Sequence, residues 1–246
     1  MTNRRHFPHL GFVPSPPDDG ADGFLSMPAA AGAGDFSTTH SRPLGGRAKR
    51  LMDIGIAVTA LVLAMPLMLA VALLIKLVCG GPVLFSHRRI GFNGSAFRCY
   101  KFRTMAVDAE QRLQAYLACN PQAAEEWRQS RKLKRDPRLT VLGNMLRKSS
   151  IDELPQLFNV LRGEMSCVGP RPIVADELRR YGSVARDYLR TRPGLTGLWQ
   201  VTGRDSVDYA GRVSLDAEYV RNWSIGADLL ILVRTVGAVM KFDQAS

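Results

Sequence analysis

The sequence has little cysteine and no recognisable secretory signal. Its 246 residues include four cysteines and four histidines, with no C-x-x-C motif. This scarcity argues against a structural zinc site and favours free thiols in a reducing compartment. No short apolar signal core lies near the start, and no repeat period is visible. The sequence therefore argues against a secreted disulfide-rich domain and against a repeat array.

Acidic residues are also scarce, because 22 Asp and Glu face 33 Lys and Arg for a formal net charge of +11. A balance this basic predicts an anionic partner. The first 46 residues contain "PSPPDDGADG" and "PAAAGAGD", which are too rich in Pro, Gly, Ala and Asp to give a core-forming period. We expect residues 1–46 to form a disordered cytoplasmic tail.

One long apolar run follows that tail. The 22 residues from Ile54 to Ile75 carry no charge and reach about 33 Å as a helix, enough for a bilayer core. Basic residues on both flanks would place both ends on the cytoplasmic side. Pro66, near the middle, removes a backbone hydrogen bond and kinks the helix. Proline also occurs in spanning helices, so the residues alone leave re-entry and spanning equally open.

The remainder shows alternating strand and helix signals. Two β-favouring runs flank Asn93-Gly94 and predict a basic β-hairpin. Residues 107–134 favour two helices with a break at Asn120-Pro121, and "RLTVLGNMLRKS" predicts a short helix. Residues 225–240 are apolar with two charges, which favours an interfacial or core helix.

The segment "SSIDELPQL" places two adjacent carboxylates, Asp152 and Glu153, in a basic neighbourhood. Ser150 and Glu153 fit a capping box, while Pro155 prefers the first turn of a helix, so two start positions stay open. Gly163 is the expected stop. Because consecutive helical side chains diverge by about 100°, the pair favours two separate roles over a shared proton. A simple capping role is the alternative.

Several basic residues near this segment suit a phosphate ligand. Arg171 lies between two prolines, a rigid presentation of a guanidinium for two-pronged phosphate contact. The stretch "RPGLTGLWQVTGR" is a Gly-rich, aromatic-containing loop that ends in Arg204. An apolar helix, potential phosphate-binding cations and two carboxylates together fit a large anionic substrate at a membrane surface.

These segments resemble the bacterial sugar transferase family, the monotopic polyprenyl-phosphate phosphoglycosyl transferases. The resemblance runs from about Gly45 to Lys241, and its motifs occur in family order: "KRLMDIGIA", "RRIGFNGSAFRCYKFRTM", "DPRLTVLGNMLRKSSIDELPQLFNVLRGEMSCVGPRP", "RPGLTGLWQVTGR" and "YVRNWSIGADLLIL". Within the family, the chain is most similar to compact enzymes that start exopolysaccharide repeat units with galactose phosphate or glucose phosphate.

The resemblance implies an α/β fold with a re-entrant membrane helix hairpin, broken at Pro66, and a small cytoplasmic domain of helices around a β-hairpin. The implied domains are a tail over 1–46, the re-entrant helix over 47–79 and the catalytic domain over 80–246. The family usually has serine before the proline, whereas this chain has Met65. The implied location is the bacterial inner membrane, with the catalytic domain on its cytoplasmic face.

The resemblance also implies a mechanism. Asp152 would attack the β-phosphate of a UDP-sugar, UMP would leave, and undecaprenyl phosphate would take up the phosphosugar. Glu153 would position or deprotonate groups in the second step, and Mg²⁺ near Asp152 would neutralise diphosphate charge. The matching substrate-binding positions are Lys101, Arg103, Arg147, Arg171 and Arg204. We also expect basic neighbours to hold Asp152 ionised.

Other functions fit parts of the sequence. A non-catalytic, membrane-anchored module with a basic face could bind anionic lipid or nucleic acid, and a single-span protein could scaffold polysaccharide assembly. Both leave the ordered motif series unexplained. The partners we expect are therefore the UDP-sugar, undecaprenyl phosphate and membrane lipid, without nucleic acid. A homo-oligomer stays an open alternative.

Overall fold

The computed structural model describes residues 40–130, 133–202 and 207–240. Most of the predicted tail, and Arg204 in the Gly-rich loop, lie outside the described residues.

The apolar run forms the long helix α1, Gly46–Leu74, which continues into a π-helical turn, Ile75–Cys79. Of the described helices, this one alone is long and apolar enough to cross a membrane, and only 22% of its most apolar window is buried. Pro66 lies inside it. Its low burial distinguishes α1 from the core helix of a soluble protein. The re-entrant geometry stays a prediction.

The buried residues of α1 follow one face of the helix at spacings of three, four or seven: Lys49, Asp53, Ala57, Leu61, Met68 and Val71. Large apolar side chains elsewhere on the helix are exposed, including Val62, Leu63 and Leu69. A helix that is apolar around its circumference but buried along one stripe needs an apolar environment for the rest.

Hydrogen bonds connect both ends of the apolar segment to the rest of the chain. Arg50 donates to the carbonyl oxygens of Val160 and Leu161, at 2.5 and 2.8 Å. At the other end, Arg103 donates to the carbonyl oxygens of Cys79 and Gly80. These contacts hold both ends of the apolar segment against the same small body of the protein.

The predicted hairpin is confirmed. Strands β1, Leu84–Ile90, and β2, Ala96–Phe102, pair antiparallel, with Leu84 opposite Phe102 and Ile90 opposite Ala96. Asn93 and Gly94 at the turn have φ values of 52° and 77°. Asparagine tolerates this left-handed conformation and glycine adopts it without strain, which explains the strong turn signal of the pair.

The helices between the hairpin and the carboxylates also follow the prediction. Helices α2, Ala109–Cys119, and α3, Pro121–Ser130, are separated at Asn120. Helix α4, Val141–Lys148, begins after Thr140, whose side-chain oxygen accepts a hydrogen bond from the Gly143 amide at 2.9 Å. The predicted break at Asn120-Pro121 is therefore confirmed.

The start of helix α5, Gln156–Arg162, resolves the two alternatives for "SSIDELPQL". Ser150 makes no capping hydrogen bond and has a φ of 56°, so the S-x-x-E capping box is not formed. Residues Ile151–Glu153 form a separate 3₁₀ turn, and α5 begins directly after Pro155. Gly163 ends it with a φ of 82°, as predicted.

A parallel strand pair was not predicted from the sequence. Strands β3, Ser166–Val168, and β4, Gly194–Thr196, pair with Ser166 opposite Gly194. A Cβ atom on Gly194 would lie 2.1 Å from the Gly169 nitrogen, so only glycine allows this approach. This pairing fixes the position of the short segment between β3 and Arg171.

In the described residues, the remaining helices complete a mixed helix and strand fold with two small sheets. Their bounds are α6, Ala175–Arg180; α7, Ala185–Leu189; α8, Leu198–Thr202; α9, Tyr209–Arg221; and α10, Ile225–Met240. The larger core cluster joins the buried face of α1 to β2, α5 and β3 through residues such as Ala57, Phe102, Val160 and Val168. A smaller cluster surrounds Ile173 and Tyr188.

Candidate active site

The two adjacent carboxylates lie in the 3₁₀ turn between α4 and α5 and have different surroundings. Asp152 is 6% exposed. Glu153 forms an ion pair with Lys101 of β2, with 2.6 Å between Oε1 and Nζ. The different environments agree with separate roles for the two residues.

Glu153 and Lys101 line a small open cleft. The cleft contains three cationic side chains, one carboxylate and two amides, among other residues: Arg89, Lys101, Arg171, Glu153, Gln156 and Gln200. The single carboxylate among these lining residues already binds Lys101. The cleft therefore has an excess of positive charge and suits an anionic ligand.

Arg171 reaches the cleft from the segment after β3. Its guanidinium lies over the Trp199 ring, 5.6 Å from the ring centroid. Trp199 belongs to α8 and is 7% exposed. An arginine stacked on a buried ring is pre-organised, so less side-chain entropy is lost when it binds a phosphate.

Arg147 belongs to the last turn of α4, which precedes the carboxylates in the chain. Its Nε donates to the Thr104 hydroxyl at 2.9 Å. Helix α4 can approach the Thr104 backbone because position 143 is glycine; a Cβ there would lie 1.9 Å from the Thr104 oxygen. The charge of Arg147 favours the ionised form of Asp152. The charges of Lys101 and Arg147 therefore act on Asp152, whereas Arg171 lines the cleft together with Lys101 and Glu153. Asp152 and Arg147 are not among the residues that line the cleft.

Arg103 is placed differently. It is 8% exposed and binds the Cys79 and Gly80 carbonyl groups at the end of the apolar segment. It is not among the residues that line the cleft. Arg103, which directly follows β2, therefore contacts the end of the apolar segment, and its role in substrate binding stays a prediction. Arg204 lies outside the described residues.

The pKa of Asp152 is shifted upward, the direction opposite to the one that basic neighbours alone would give. Burial raises the pKa of Asp152 above its ordinary value, and the adjacent Glu153 adds to the increase. Lys101 and Arg147 act in the opposite direction without outweighing burial. The physical reason is that Lys101 forms its ion pair with Glu153, so much of its charge is already compensated.

A network of charged side chains lies behind the cleft. The guanidinium of Arg212, on α9, also lies over the Trp199 ring, 5.4 Å from the ring centroid. Nearby, the Tyr181 hydroxyl donates to Asp216 at 2.8 Å, and Asp216 is 3% exposed. Burial raises the pKa of Asp216 to about 7, although Tyr181 and Arg212 oppose the shift.

Asp216→Asn is expected to stabilise the protein at pH 8. The folded pKa of about 7 exceeds the ordinary 3.8, so the contribution of Asp216 to stability is complete below about pH 4 and lost as pH rises to about 7. Asparagine keeps an acceptor for Tyr181 without the charge. Unfolding experiments in detergent should show a gain of roughly 2–4 kcal/mol at pH 8 and little gain at pH 4. Equal effects at both pH values would contradict the shift.

Sequence reasoning missed the three other charged or amide side chains that line the cleft: Arg89, Gln156 and Gln200. A signal existed for Arg89, because strand alternation places it on the same hairpin face as Lys101. Gln156 directly follows Pro155, but its orientation depends on where α5 begins. Gln200 lies in the Gly-rich loop, where no periodic pattern predicts the direction of a side chain.

The model of the bacterial sugar transferase family matches residues 45–242. The chain belongs to this family. The resemblance noted in the sequence is thereby confirmed, and the chain is a member of a family of transferase enzymes. The match includes α1, the hairpin, both carboxylates and α10.

Three relatives illustrate the family. The chain is 56% identical over 198 residues to the exopolysaccharide production protein ExoY of Sinorhizobium fredii, covering 80% of this chain and 88% of the relative. It is 49% identical over 198 residues to an undecaprenyl-phosphate galactose phosphotransferase of Salmonella typhimurium, covering 80% and 41%. It is 41% identical over 222 residues to an undecaprenyl-phosphate glucose phosphotransferase of Komagataeibacter xylinus, covering 82% and 38%.

Proposed function

We propose that the protein transfers a sugar 1-phosphate from a UDP-sugar to undecaprenyl phosphate and releases UMP, the first membrane step of exopolysaccharide synthesis. The observation that carries this proposal is the Asp152-Glu153 pair beside a cleft with excess positive charge. Membership of the sugar transferase family, and relatives named for this transfer and for exopolysaccharide production, support it.

In the first step, a carboxylate oxygen of Asp152 attacks the β-phosphorus of the UDP-sugar. An acyl phosphate bond forms, the bond to the bridging oxygen breaks, and UMP leaves with that oxygen and its electron pair. In the second step, a phosphate oxygen of undecaprenyl phosphate attacks the same phosphorus. The acyl phosphate bond breaks, Asp152 returns as a carboxylate, and undecaprenyl-diphosphosugar is formed.

The cations around the cleft lower the barrier for the first step. A carboxylate that approaches a diphosphate meets like-charge repulsion, and preorganised cations offset that repulsion where charge develops. Arg171 is positioned for the phosphates by Trp199, and the charge of Arg147 acts on Asp152. Glu153, held by Lys101, would position or deprotonate the acceptor phosphate in the second step.

Mg²⁺ is the cofactor we propose. The described residues contain no cluster of three or more His, Cys, Asp or Glu that could hold a metal alone. Mg²⁺ commonly binds through one or two carboxylates together with substrate phosphates and water, so Asp152 beside a diphosphate fits this ion. When bound, the ion would supply neutralisation of diphosphate and leaving-group charge.

The sugar we propose is galactose or glucose, because relatives named for each share 49% and 41% identity with this chain. Membranes that contain the protein should release UMP when given undecaprenyl phosphate and UDP-galactose or UDP-glucose. A panel of UDP-sugars, with release followed for each, tests the proposal. Equal UMP release with every UDP-sugar of the panel, or no UMP release with any of them, would contradict the proposal.

We propose that α1 re-enters the membrane and returns both ends to the cytoplasmic face. A straight helix from Arg50 to Gly80 would be about 45 Å long. The groups that bind those two ends are themselves joined: Asn159, next to Val160, accepts a hydrogen bond from the Tyr100 amide at 3.0 Å, and Arg103 follows Tyr100 by three residues, directly after the end of β2. Three strand residues span only about 10 Å. This short connection supports a bend in α1, and Pro66 is the residue able to cause it.

Replacing Pro66 with leucine is expected to straighten α1 and to move one of its ends across the membrane. Leucine restores the missing backbone hydrogen bond and removes the ring clash. Accessibility tags at residues 46 and 80, read from each side of the membrane, measure the change. Met65→Leu is the matched control and should leave both tags on one face. Both tags remaining cytoplasmic in the Pro66 variant would show that proline does not set the geometry.

Arg171→Lys is expected to raise the KM for the UDP-sugar by roughly tenfold or more, although the charge is kept. Lysine offers no planar two-pronged contact to phosphate and lacks the guanidinium that lies over the Trp199 ring. Steady-state kinetics with varied donor concentration measure the effect, and Arg88→Lys on the exposed face of the hairpin is the control. Unchanged turnover and unchanged KM would refute a bidentate role.

A further inference from the structure

Arg89, near the end of β1, points into the cleft, whereas its neighbour Arg88 does not. In the hairpin register, Arg89 pairs with Phe97 and Arg88 with Arg98. Alternation along the strand therefore places Arg89 on the face of Cys99 and Lys101, both of which line the cleft. Arg88 is exposed on the opposite face, while the Arg89 side chain is 25% exposed. The two arginines share a strand and a charge but have different surroundings.

The guanidinium of Arg89 lacks a close acceptor. The nearest carboxylate oxygen belongs to Glu177, at 3.9 Å, which is beyond hydrogen-bond distance. Glu177 is also shared, because its other oxygen lies 3.8 Å from Arg212. Among the residues that the structure describes, no group accepts a side-chain hydrogen bond from Arg89.

Arg171 lies close enough for its charge to act on Arg89. Burial lowers the pKa of the Arg89 guanidinium, and the positive charge of Arg171 adds to the lowering. Two like charges in a partly buried cleft repel each other, and the cleft carboxylate Glu153 is bound to Lys101. A ligand that carries two adjacent negative groups would relieve that repulsion and supply the missing acceptors.

We propose that Arg89 is a further substrate-binding residue whose guanidinium, together with Arg171, binds the diphosphate of the UDP-sugar. This inference rests on the proposed function, because it assigns Arg89 to the donor in the same cleft. A purely structural role, in which Arg89 only ties the hairpin to Glu177 of α6, is the alternative that the experiment must separate.

The experiment measures binding of UDP to the full-length protein in detergent by titration calorimetry. Arg89→Gln should weaken UDP binding by roughly tenfold to a hundredfold, the loss typical of hydrogen bonds to a charged group. Arg89→Lys should give an intermediate loss. Arg88→Gln, with the same charge change one residue away on the exposed face, should alter binding by no more than about twofold if only long-range charge acts there.

Glu177→Gln separates the two roles by the sign of its effect. If Arg89 binds the diphosphate, removing the competing carboxylate should leave UDP binding unchanged or tighten it. If Arg89 serves only to hold Glu177, this variant should weaken binding as Arg89→Gln does, which would overturn the proposal. Equal affinities for Arg89→Gln and Arg88→Gln would also overturn it. Failure of the unmodified protein to bind UDP would contradict the proposed function itself.

Discussion

Asp152→Asn is expected to abolish transfer to undecaprenyl phosphate, with turnover lower by roughly four orders of magnitude or more. The amide is nearly isosteric with the carboxylate but is a very poor nucleophile, so the acyl phosphate cannot form. The fold should tolerate the change. Burial already disfavours the charged form of Asp152, and a neutral side chain avoids that cost. The variant should therefore remain folded and membrane-bound.

Three comparisons make this result specific. Asp176→Asn, the same chemical change at an exposed position on α6, should leave UMP release unaltered. Glu153→Gln should reduce turnover by less than Asp152→Asn, because it removes a positioning group and leaves the nucleophile. A module that only binds anionic lipid predicts no dependence on Asp152. Near-normal turnover in the Asp152 variant, measured as UMP released per folded protein, would contradict the nucleophile role, whereas no UMP release from either protein would support the lipid-binding alternative.

Asp228→Asn is expected to destabilise the protein by about 3–5 kcal/mol, because it leaves a buried cation without its counter-charge. Lys49 of α1 and Asp228 of α10 form an ion pair at 2.5 Å, with side chains 5% and 0% exposed. The pair joins the beginnings of the two most apolar helices. The Tyr219 hydroxyl oxygen also lies 2.7 Å from Asp228 Oδ1 and 3.0 Å from the Val168 carbonyl oxygen, and its one proton is shared between these two acceptors. Loss of the pair should therefore loosen α1 against the strand that leads to Arg171.

The reciprocal variants distinguish an unpaired charge from lost packing. Lys49→Met should cost less, because Asp228 keeps donors from Tyr219 and Trp223. The double variant Lys49→Met with Asp228→Asn should recover most of the stability, since no buried charge is left unpaired. Chemical denaturation in detergent gives the free energies of unfolding. Additive losses in the double variant would show that the charge pairing is not the cause.

Local sequence signals predicted the parts of the fold that depend on neighbouring residues. Asn93-Gly94 predicted the hairpin because the turn itself demands left-handed backbone, and Gly163 predicted the end of α5 for the same reason. The β3 and β4 pair escaped prediction. Each strand has three residues, too few for a periodic pattern, and their pairing depends on a close approach of Gly169 and Gly194 that only the tertiary structure reveals.

In the candidate site, too, adjacent residues could be predicted from the sequence, whereas tertiary contacts could not. Asp152 and Glu153 were recognisable because they are adjacent in the chain and occur in a motif of the family. The cationic partners depend on tertiary contacts: Arg103 matched the motif, yet it binds the end of the apolar segment, while Arg89 lines the cleft. The increase in the pKa of Asp152 also follows from burial and from the pairing of Lys101 with Glu153, neither of which the sequence displays.

Exchange of labelled UMP into a UDP-sugar, in the absence of any lipid acceptor, tests the covalent mechanism most directly. The first half-reaction is complete in itself, so the unmodified protein should catalyse this exchange, and the Asp152→Asn variant should not. Protein trapped with the donor should gain the mass of a hexose phosphate on the peptide that contains Asp152. Exchange that requires undecaprenyl phosphate, or a modification on a peptide without Asp152, would contradict the account.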